Sequence, residues 1–168
     1  MSAETDRSTW RFPDSDSIVR LVAFVVGLNL IGAAPAFVSS PDTAWFRGLD
    51  TPWFYPPEIA FPIVWTLLFT LLGIALWLVW RSDAAGRQLA LGLFALQMVF
   101  NVAWTPAFFG AENLLFGLGV IVVLWLLIVA TIAVFRRVDR RAAALLVPYL
   151  LWVSFATVLN FELWRLNA

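Results

Sequence analysis

Five long apolar stretches separated by polar ones dominate the chain. Each is about 20 residues long, which is enough for an α-helix to cross the hydrocarbon core of a bilayer. Because most of the polar connections are short, consecutive helices should be antiparallel neighbours. The pattern predicts an all-α membrane protein, a compact bundle of five transmembrane helices. The predicted spans are 18–38, 59–80, 89–109, 114–135 and 142–164.

The polar segment before the first span, residues 1–17, is mixed in charge. The rest of the chain, 18–168, is predicted to be one five-helix transmembrane domain. An alternative is that the first apolar run belongs to a signal peptide, because Ala34, Pro35 and Ala36 resemble a small-residue cleavage site. The long acidic leader and the apolar run that continues up to this site favour a membrane span.

The connection between the first two spans, residues 39–58, is the exception among the polar segments. Three of its prolines are Pro52, Pro56 and Pro57, and they flank the large rings of Trp53, Phe54 and Tyr55. Proline fixes φ, so this composition predicts a rigid aromatic lid rather than a flexible linker. A short helix carrying Trp45 and Phe46 is expected within it, with Asp42 as its N-cap.

Composition changes this picture mainly by exclusion. The chain is 62% hydrophobic, with a mean hydropathy of +0.86, whereas a soluble domain is about half apolar. It contains no Lys, His or Cys. Without Lys there is no Schiff base, and without His or Cys there is no ordinary zinc site or Cys-ligated iron–sulfur cluster. We therefore predict no metal site and no required cofactor. The formal net charge of zero makes nucleic acid an unexpected partner.

Charge also predicts the orientation in the membrane. Nine of the eleven arginines fall on the side of the N-terminus, and only Arg47 and Arg165 fall on the other side. The positive-inside rule places the N-terminus in the cytoplasm, and the lid and the C-terminus outside. The predicted protein is a multi-pass integral protein of the cell (cytoplasmic) membrane, with the lipid bilayer as one partner.

No charged residue lies deep in any predicted span. Intramembrane charges mark proton relays, voltage sensors and most ion pathways, so this pattern argues against a pump, a proton-coupled carrier or a selective ion channel. Glu58 and Glu162 lie at span ends, where a solvated flank is the simpler interpretation.

Aromatic and amide side chains recur at helical spacing on three spans. These stripes are Phe61, Trp65 and Phe69 on the second span, Gln97, Asn101, Trp104 and Phe108 on the third, and Tyr149, Trp152, Ala156 and Asn160 on the fifth. One interpretation is helix packing, in which amides bond across helices at about 0.6–2 kcal/mol each. The other is a shared cavity for a flat, mostly apolar ligand with a few polar edges, where the small Ala156 leaves space.

Three motifs in this order resemble the translocator protein / tryptophan-rich sensory protein family (TspO/MBR, the peripheral benzodiazepine receptor family). They are Leu49, Thr51, Pro52, Phe54, Pro56, Pro57, Phe61, Val64, Trp65, Leu68 and Phe69; then Gln97, Asn101, Trp104, Phe108 and Phe109; then Pro148, Tyr149, Trp152, Phe155, Ala156, Leu159 and Asn160. Thr51 departs from the Lys of the family. The sterol-recognition pattern lacks its basic residue after Tyr149, so no sterol specificity is predicted.

The resemblance implies binding of porphyrins, haem and related tetrapyrroles in a pocket between the helices, closed by the first loop. It also implies sensing, transport or regulation of a tetrapyrrole or stress response, and a homodimer in many members. Porphyrin or haem would be a ligand rather than a required cofactor. The candidate ligand-binding residues are Phe54, Trp65, Phe69, Gln97, Asn101, Trp104, Phe108, Tyr149, Trp152 and Ala156.

Two alternatives remain open. Some bacterial members of this family look capable of light- and oxygen-dependent porphyrin breakdown, which would make Trp65 and Trp152 catalytic. The sequence offers no general base, nucleophile or metal site of the usual kinds for such an enzyme. The other alternative is a structural or regulatory membrane partner, because small residues permit close helix association. Those residues are Gly32, Gly92, Ala103, Ala107 and Gly117.

Overall fold

The structure is a computed structural model, and it describes residues 15–35 and 42–168. Within these ranges the regular secondary structure is helical, and five segments are long and apolar enough to cross a membrane. The predicted all-α, five-helix membrane protein is therefore confirmed. The five segments are Ser15–Ala33, Ala60–Trp80, Arg87–Gly110, Leu114–Val138 and Arg140–Asn167.

Two of these segments consist of more than one helical element. The helices in chain order are α1 (Ser15–Ala33), α2 (Ala44–Arg47), α3 (Ala60–Trp80), α4 (Arg87–Thr105), α5 (Leu114–Val138), α6 (Arg140–Leu145) and α7 (Val147–Asn167). A π-helix, Pro106–Gly110, continues α4. Its backbone hydrogen bonds join residues five apart, as from the Ala111 N–H to the Pro106 carbonyl at 2.8 Å. The fifth segment is interrupted at Leu146, two residues before Pro148, which has no N–H to donate.

The helix bounds differ from the predicted spans mainly at polar ends. α1 begins at Ser15 rather than Ile18 and includes Asp16 in its first turn, where the helix dipole favours an acidic side chain. α5 runs on to Val138 and carries two arginines in its last turn, where the dipole favours basic ones. Hydrophobicity marks the lipid-facing part of a helix and misses such ends. Residues 1–14 and 36–41 of the predicted leader, first span and lid lie outside the described residues.

The lid helix α2 is capped differently from the prediction. The Thr43 hydroxyl, not Asp42, accepts the hydrogen bond from the Phe46 N–H, at 3.1 Å. Thr43 directly precedes the first helical residue, which is the position from which a side chain reaches that N–H. The Asp42 carboxylate instead pairs with Arg47, one turn further along.

α1 lies at the periphery of the bundle. Leu28 is the one buried residue of α1, and the helix packs mainly against α3. The backbones approach closely at Gly73, where an added Cβ would lie 2.6 Å from the Val25 Cα, and the Phe69 ring packs on Gly32, where an added Cβ would lie 2.1 Å from it. A glycine lets two membrane helices approach in this way. The Asn29 side chain adds a hydrogen bond to the Thr70 hydroxyl at 3.3 Å.

The other membrane helices form a ring that is tight at one end. α4 packs along α5, α5 packs along α7, and α3 closes the ring against the short helix α6. Close backbone approaches between α3 and α7, and between α4 and α7, are few. We call the end with the α3–α4 and α5–α6 turns the basic end. The end that carries residues 42–59, named here the lid loop, is the lid end.

Candidate functional site

The lid loop contributes the outer layer of an aromatic cluster at the lid end. α2 places Trp45 and Phe46 against Phe108 of the π-helix, with ring centroids 6.0 and 6.1 Å apart. Phe46 also meets Phe109 at 5.2 Å, edge to face. Trp104 of α4 completes this group, 5.0 Å from Phe108. The wide turn of the π-helix thus presents both of its phenylalanines to the lid.

The proline-rich part of the lid loop reaches α7. Phe54 lies edge to face on Phe155 at 6.2 Å. Phe61, at the start of α3, contacts Tyr55 at 5.9 Å and Trp152 of α7 at 6.0 Å. The lid loop is therefore packed onto the helices through rings, as aromatic side chains commonly pack at 4.5–7 Å. Trp53 is the opposite case, since 95% of its surface is exposed.

A pair of hydrogen bonds ties the lid loop to the end of α7. The Asp50 N–H donates to the Asn167 side-chain oxygen at 2.9 Å. The Asn167 amide nitrogen donates to the Asp50 carbonyl, also at 2.9 Å. One amide side chain thus binds both polar groups of one lid residue, which fixes the entry to the proline-rich part. We call this pair the Asn167 clasp.

The Tyr55 phenol in the lid loop has a raised pKa. Partial burial raises the pKa of its phenol, and the nearby Glu58 carboxylate raises it further. Both effects disfavour the phenolate. Tyr55 is therefore a neutral hydrogen-bonding ring at physiological pH.

A second, deeper layer joins α3, α4 and α7. Trp65 stacks on Phe69 with centroids 5.4 Å apart, and it meets the edge of Tyr149 at 6.3 Å. The buried Tyr149 hydroxyl accepts a hydrogen bond from Asn101 Nδ2 at 2.8 Å. This pair connects α4 to α7 at a level where their backbones make few close approaches. The large side chains span the separation between these helices.

Asn160 makes a second polar connection nearer the lid. Its Oδ1 accepts a hydrogen bond from Trp104 Nε1 at 3.2 Å, and its Nδ2 donates to the Leu114 carbonyl at 3.0 Å. Asn160 belongs to the predicted stripe on the fifth span but not to the candidate site residues. Its spacing of four from Ala156 was the signal that could have included it.

Two buried polar groups lack a hydrogen-bond partner among the described residues. They are the amide of Gln97, whose oxygen and nitrogen are both unpaired, and the indole N–H of Trp152. The Gln97 side chain is completely buried. An unsatisfied buried donor or acceptor costs about 1–3 kcal/mol, and the membrane interior offers no bulk water in compensation. Such groups are typical of positions where a non-protein molecule supplies the partner.

The structure brings most candidate site residues into contact, but in two layers. Phe54, Trp104, Phe108 and Trp152 belong to the outer ring network. Trp65, Phe69, Asn101 and Tyr149 form the deeper one. Ala156 is half-buried and packs against the hydrophobic core that contains these rings. Gln97 lies one turn before Asn101 on α4, with no polar contact of its own.

The arrangement is suited to binding by ring stacking and amide hydrogen bonds. In residues 15–35 and 42–168, no three His, Cys, Asp or Glu side chains come together as a group that could hold a metal ion. We call the region between α3, α4 and α7 beneath the lid loop the compartment. Its polar atoms are amides, an indole N–H and a phenol. This donor set can orient the polar edge of an apolar molecule.

Comparison with known proteins agrees with the sequence motifs. The TspO/MBR family profile matches residues 21–165. A tryptophan-rich sensory protein from Cereibacter sphaeroides is 42% identical over 127 residues, covering 76% of this chain and 78% of the relative. The tryptophan-rich protein TspO from Chlorobaculum tepidum is 42% identical over 150 residues, covering 87% and 95%. The human translocator protein is 35% identical over 134 residues, covering 78% and 79%. The chain is a multi-pass membrane protein that belongs to the TspO/MBR family.

Proposed function

We propose that this protein binds porphyrins or related tetrapyrroles between α3, α4 and α7, beneath the lid loop. Through that binding it acts in sensing, transport or regulation of a tetrapyrrole or stress response. The observation that carries the proposal is the fully buried Gln97 amide without a partner, one helical turn from Asn101, which bonds to Tyr149. A flat macrocycle offers faces for the rings and a polar edge for the amide.

Binding requires the side chains of the compartment to separate, because they pack against each other in this structure. The outer contacts are the easier ones to move. Phe54 contacts Phe155 from a loop, at 6.2 Å, and its ring is only half-buried. The deeper Asn101–Tyr149 hydrogen bond joins two helices and is fully buried. We therefore expect the ligand to enter by displacing the lid loop, with the deeper layer as the floor.

Stacking and shape, rather than a metal bond, would hold the ligand. The chain has no His or Cys to serve as an axial ligand, and the one compartment phenol, that of Tyr149, already accepts a hydrogen bond from Asn101. Metal-free protoporphyrin should bind about as tightly as haem. A strong preference for haem would contradict this mode of binding.

The test is a protoporphyrin titration of the detergent-purified protein, followed by quenching of Trp fluorescence. Ala156→Phe fills the compartment and should weaken binding by more than about tenfold, since a lost fit of a few kcal/mol has that effect. Ala133→Phe is the matched control, because Ala133 is exposed on α5. Comparing the affinities of Trp65→Phe and Trp152→Phe then shows whether the ligand contacts the deeper layer, the outer layer or both. Unchanged affinity in Ala156→Phe would rule out this compartment.

Porphyrin breakdown is the second candidate function, in which Trp152, whose buried indole N–H has no partner among the described residues, would contact the bound porphyrin. Light would excite the porphyrin and dioxygen would be the oxidant, with Trp65 and Trp152 as electron donors or shields. Illuminating the complex with and without oxygen tests this in wild type and Trp152→Phe. Identical bleaching of both proteins would remove any catalytic role for Trp152.

We also propose that the protein lies in the cell membrane with its basic end in the cytoplasm. The arginine asymmetry supports this orientation. Because the chain has no Cys, single cysteines can be introduced at Asp83 on the basic end and Ala111 on the lid end, which are both exposed. A membrane-impermeant maleimide should label Ala111→Cys in intact cells and leave Asp83→Cys unlabelled. The reverse pattern would invert the orientation.

The implied homodimer and the alternative of a structural membrane partner remain proposals as well. A protein that bound no porphyrin but copurified with a second membrane protein would favour the structural role. Chemical crosslinking in the membrane would show whether the protein forms a homodimer.

A further inference from the structure

We infer a second binding site at the basic end, which takes the phosphate group of an anionic phospholipid. It is a cavity of about 580 Å³ where three membrane segments meet. Its lining residues are Arg20 of α1, Trp80 at the end of α3, Arg81 in the following turn, and Arg87, Gln88 and Leu91 of α4.

Three guanidinium groups converge on this cavity from separate parts of the chain. No carboxylate in residues 15–35 and 42–168 lies within ion-pair distance of any of them. Like charges that share one cavity repel each other, and the repulsion is relieved when an anion binds between them. Arginine also presents a planar fork of N–H donors that matches two phosphate oxygens.

Aromatic stacking holds two of these guanidinium groups in place. Arg20 lies over the Trp80 ring, 5.6 Å from its centroid, and Arg81 lies over Trp77 at 4.7 Å. A guanidinium stacked on a ring keeps its N–H groups free at the edge while losing side-chain mobility. Phe24 supports Trp80 from the side at 5.7 Å. Part of the entropy cost of ordering the arginines is therefore met before any anion binds.

Arg87 is fixed in a different way. Its Nη1 donates to the carbonyl of Ser82 at 3.2 Å and to that of Trp80 at 3.5 Å. These bonds tie the start of α4 to the end of α3 and use only one nitrogen of the guanidinium. The remaining donors stay available on the side chain that lines the cavity.

A lipid explains the surroundings better than a free phosphate ion does. The cavity is far larger than one phosphate group, and Leu91 and Trp80 give it an apolar side. Val19 next to Arg20 and Leu89 close to Arg87 are 66% and 59% exposed on the same end of the bundle. These side chains would contact the glycerol and acyl chains, while tryptophans at a helix end mark the level of the headgroups. Basic pockets between membrane helices bind anionic headgroups for the same reasons.

The neighbouring cavity defines where the anion does not bind. It has a volume of about 300 Å³, shares Arg20, Trp80 and Arg81 with the first, and is also lined by Asp16 and Ser17. The Asp16 carboxylate would repel a phosphate there. We therefore place the phosphate between Arg20, Arg81 and Arg87, away from Asp16.

Native mass spectrometry of the full chain from mixed micelles tests the site directly. Wild-type protein should retain phosphatidylglycerol in preference to phosphatidylcholine of the same acyl chains. Arg20→Gln and Arg81→Gln should each lower phosphatidylglycerol retention about fivefold, as expected for one surface charge near an anionic lipid. The double variant should lose more than about tenfold. Arg137→Gln, an exposed residue at the same end outside the cavity, should retain the lipid as wild type does.

Two further arms keep the result interpretable. Arg81→Lys preserves the charge but not the planar fork or the stacking on Trp77, so it should fall between wild type and Arg81→Gln. Competition with an excess of inorganic phosphate should leave the lipid bound. Equal retention of both lipids, wild-type retention in a double variant that remains helical by circular dichroism, or displacement by phosphate would each overturn the lipid assignment.

Discussion

The two ends of the bundle show how side-chain size sets the distance between membrane helices. At the basic end, α3, α4 and α6 meet mainly through small buried residues, with one stacked ring pair, Phe94 and Phe135, between α4 and α5. The small residues are Ala75, Val79, Ala90, Ala142 and Ala143, each at most 2% exposed. At the lid end, tryptophan, tyrosine and phenylalanine replace them, and α7 stays apart from α3 and α4. Small residues close one end of the ring, and large rings make the compartment at the other.

The two ends also differ in the charge they offer to a ligand. The lid end joins its helices through rings and neutral amides, such as the Asn101–Tyr149 pair. The basic end carries arginines that have no carboxylate partner among the described residues near the α3–α4 turn. The proposed porphyrin site and the proposed anion site therefore lie at opposite ends of one bundle. The following variants separate the two, in order of decreasing expected effect.

The largest effect is expected from Gly117→Ala at the lid end. An added Cβ would lie 2.8 Å from the Phe108 ring and 3.3 Å from Asn160 Oδ1, so the ring or the helix must shift. We expect about 1–3 kcal/mol of destabilisation from this overpacking, measured by thermal unfolding in detergent with circular dichroism.

Gly119→Ala on the same helix is its control, because an added Cβ there meets nothing within 4 Å. It should be neutral or stabilise by up to about 1 kcal/mol through helix propensity. Equal effects of the two variants would mean that the lid end tolerates added volume. That result would weaken the contrast between a packed compartment and a lipid-facing surface.

Gly86→Val should have the next largest effect, and at the basic end. Gly86 precedes α4 with φ of +93°, a conformation that costs a residue with a side chain about 1–2 kcal/mol. The same unfolding measurement should show this loss, while protoporphyrin affinity stays at the wild-type value because the compartment lies at the other end. Gly86→Asn should lose less, since Asn tolerates this region better. A change in porphyrin affinity would show that the ends are coupled.

Breaking the Asn167 clasp should act on the lid more than on overall stability. Asn167→Ala removes both 2.9 Å hydrogen bonds to Asp50. Each contributes up to about 1.5 kcal/mol to the free energy of unfolding. Amide hydrogen exchange at Asp50 and Tyr55 should become faster, and porphyrin should dissociate faster through the loosened lid. Leu166→Ala, at an exposed neighbouring residue, is the control. Unchanged exchange rates in Asn167→Ala would mean that the aromatic contacts alone hold the lid loop in place.

The smallest effect concerns the pKa of Tyr55. Burial is the larger cause of its upward shift and Glu58 the smaller, so Glu58→Gln should lower the pKa only partly. A phenol whose pKa is higher in the folded state stabilises the fold at neutral pH and stops doing so as pH rises above the ordinary tyrosine value. Ultraviolet titration in a Tyr149→Phe background isolates Tyr55, as these are the chain's two tyrosines. A return to the ordinary pKa in Glu58→Gln would make the charge, not burial, the dominant cause.

The length of the apolar runs was sufficient to predict five membrane-spanning segments, but not the π-helix or the interruption at Leu146. It could not rank the helices by burial. α1 is as apolar as a core helix yet has one buried residue, because lipid and protein interior are both apolar and the sequence pattern is the same for either. Its place in the bundle is set by contacts that involve two helices at once, such as Gly73 of α3 against Val25 of α1.

The hydrogen-bonded pairs of the site could not be predicted from the sequence either. Spacing placed Asn101 and Tyr149 on inward faces, but not opposite each other across two helices. Asn160 was left out of the candidate residues although it bonds to Trp104. The Thr43 cap depended on where α2 begins, and a shift of one residue decides which side chain reaches the N–H group. Such pairings depend on helix register and depth, which no single helix encodes.

The π-helix at Pro106–Gly110 has a consequence for how such chains change over evolutionary time. A π-helical turn contains one residue more than an α-helical turn, and it arises where a residue is inserted into a helix without displacing the rest. Deleting one residue within 106–110 should therefore give an ordinary turn and leave both flanking helices in register. We expect alignments of homologous sequences to place single-residue gaps here rather than within α4 or α5. Those gaps would alter which of Phe108 and Phe109 faces the lid, and with it the packing of the aromatic cluster.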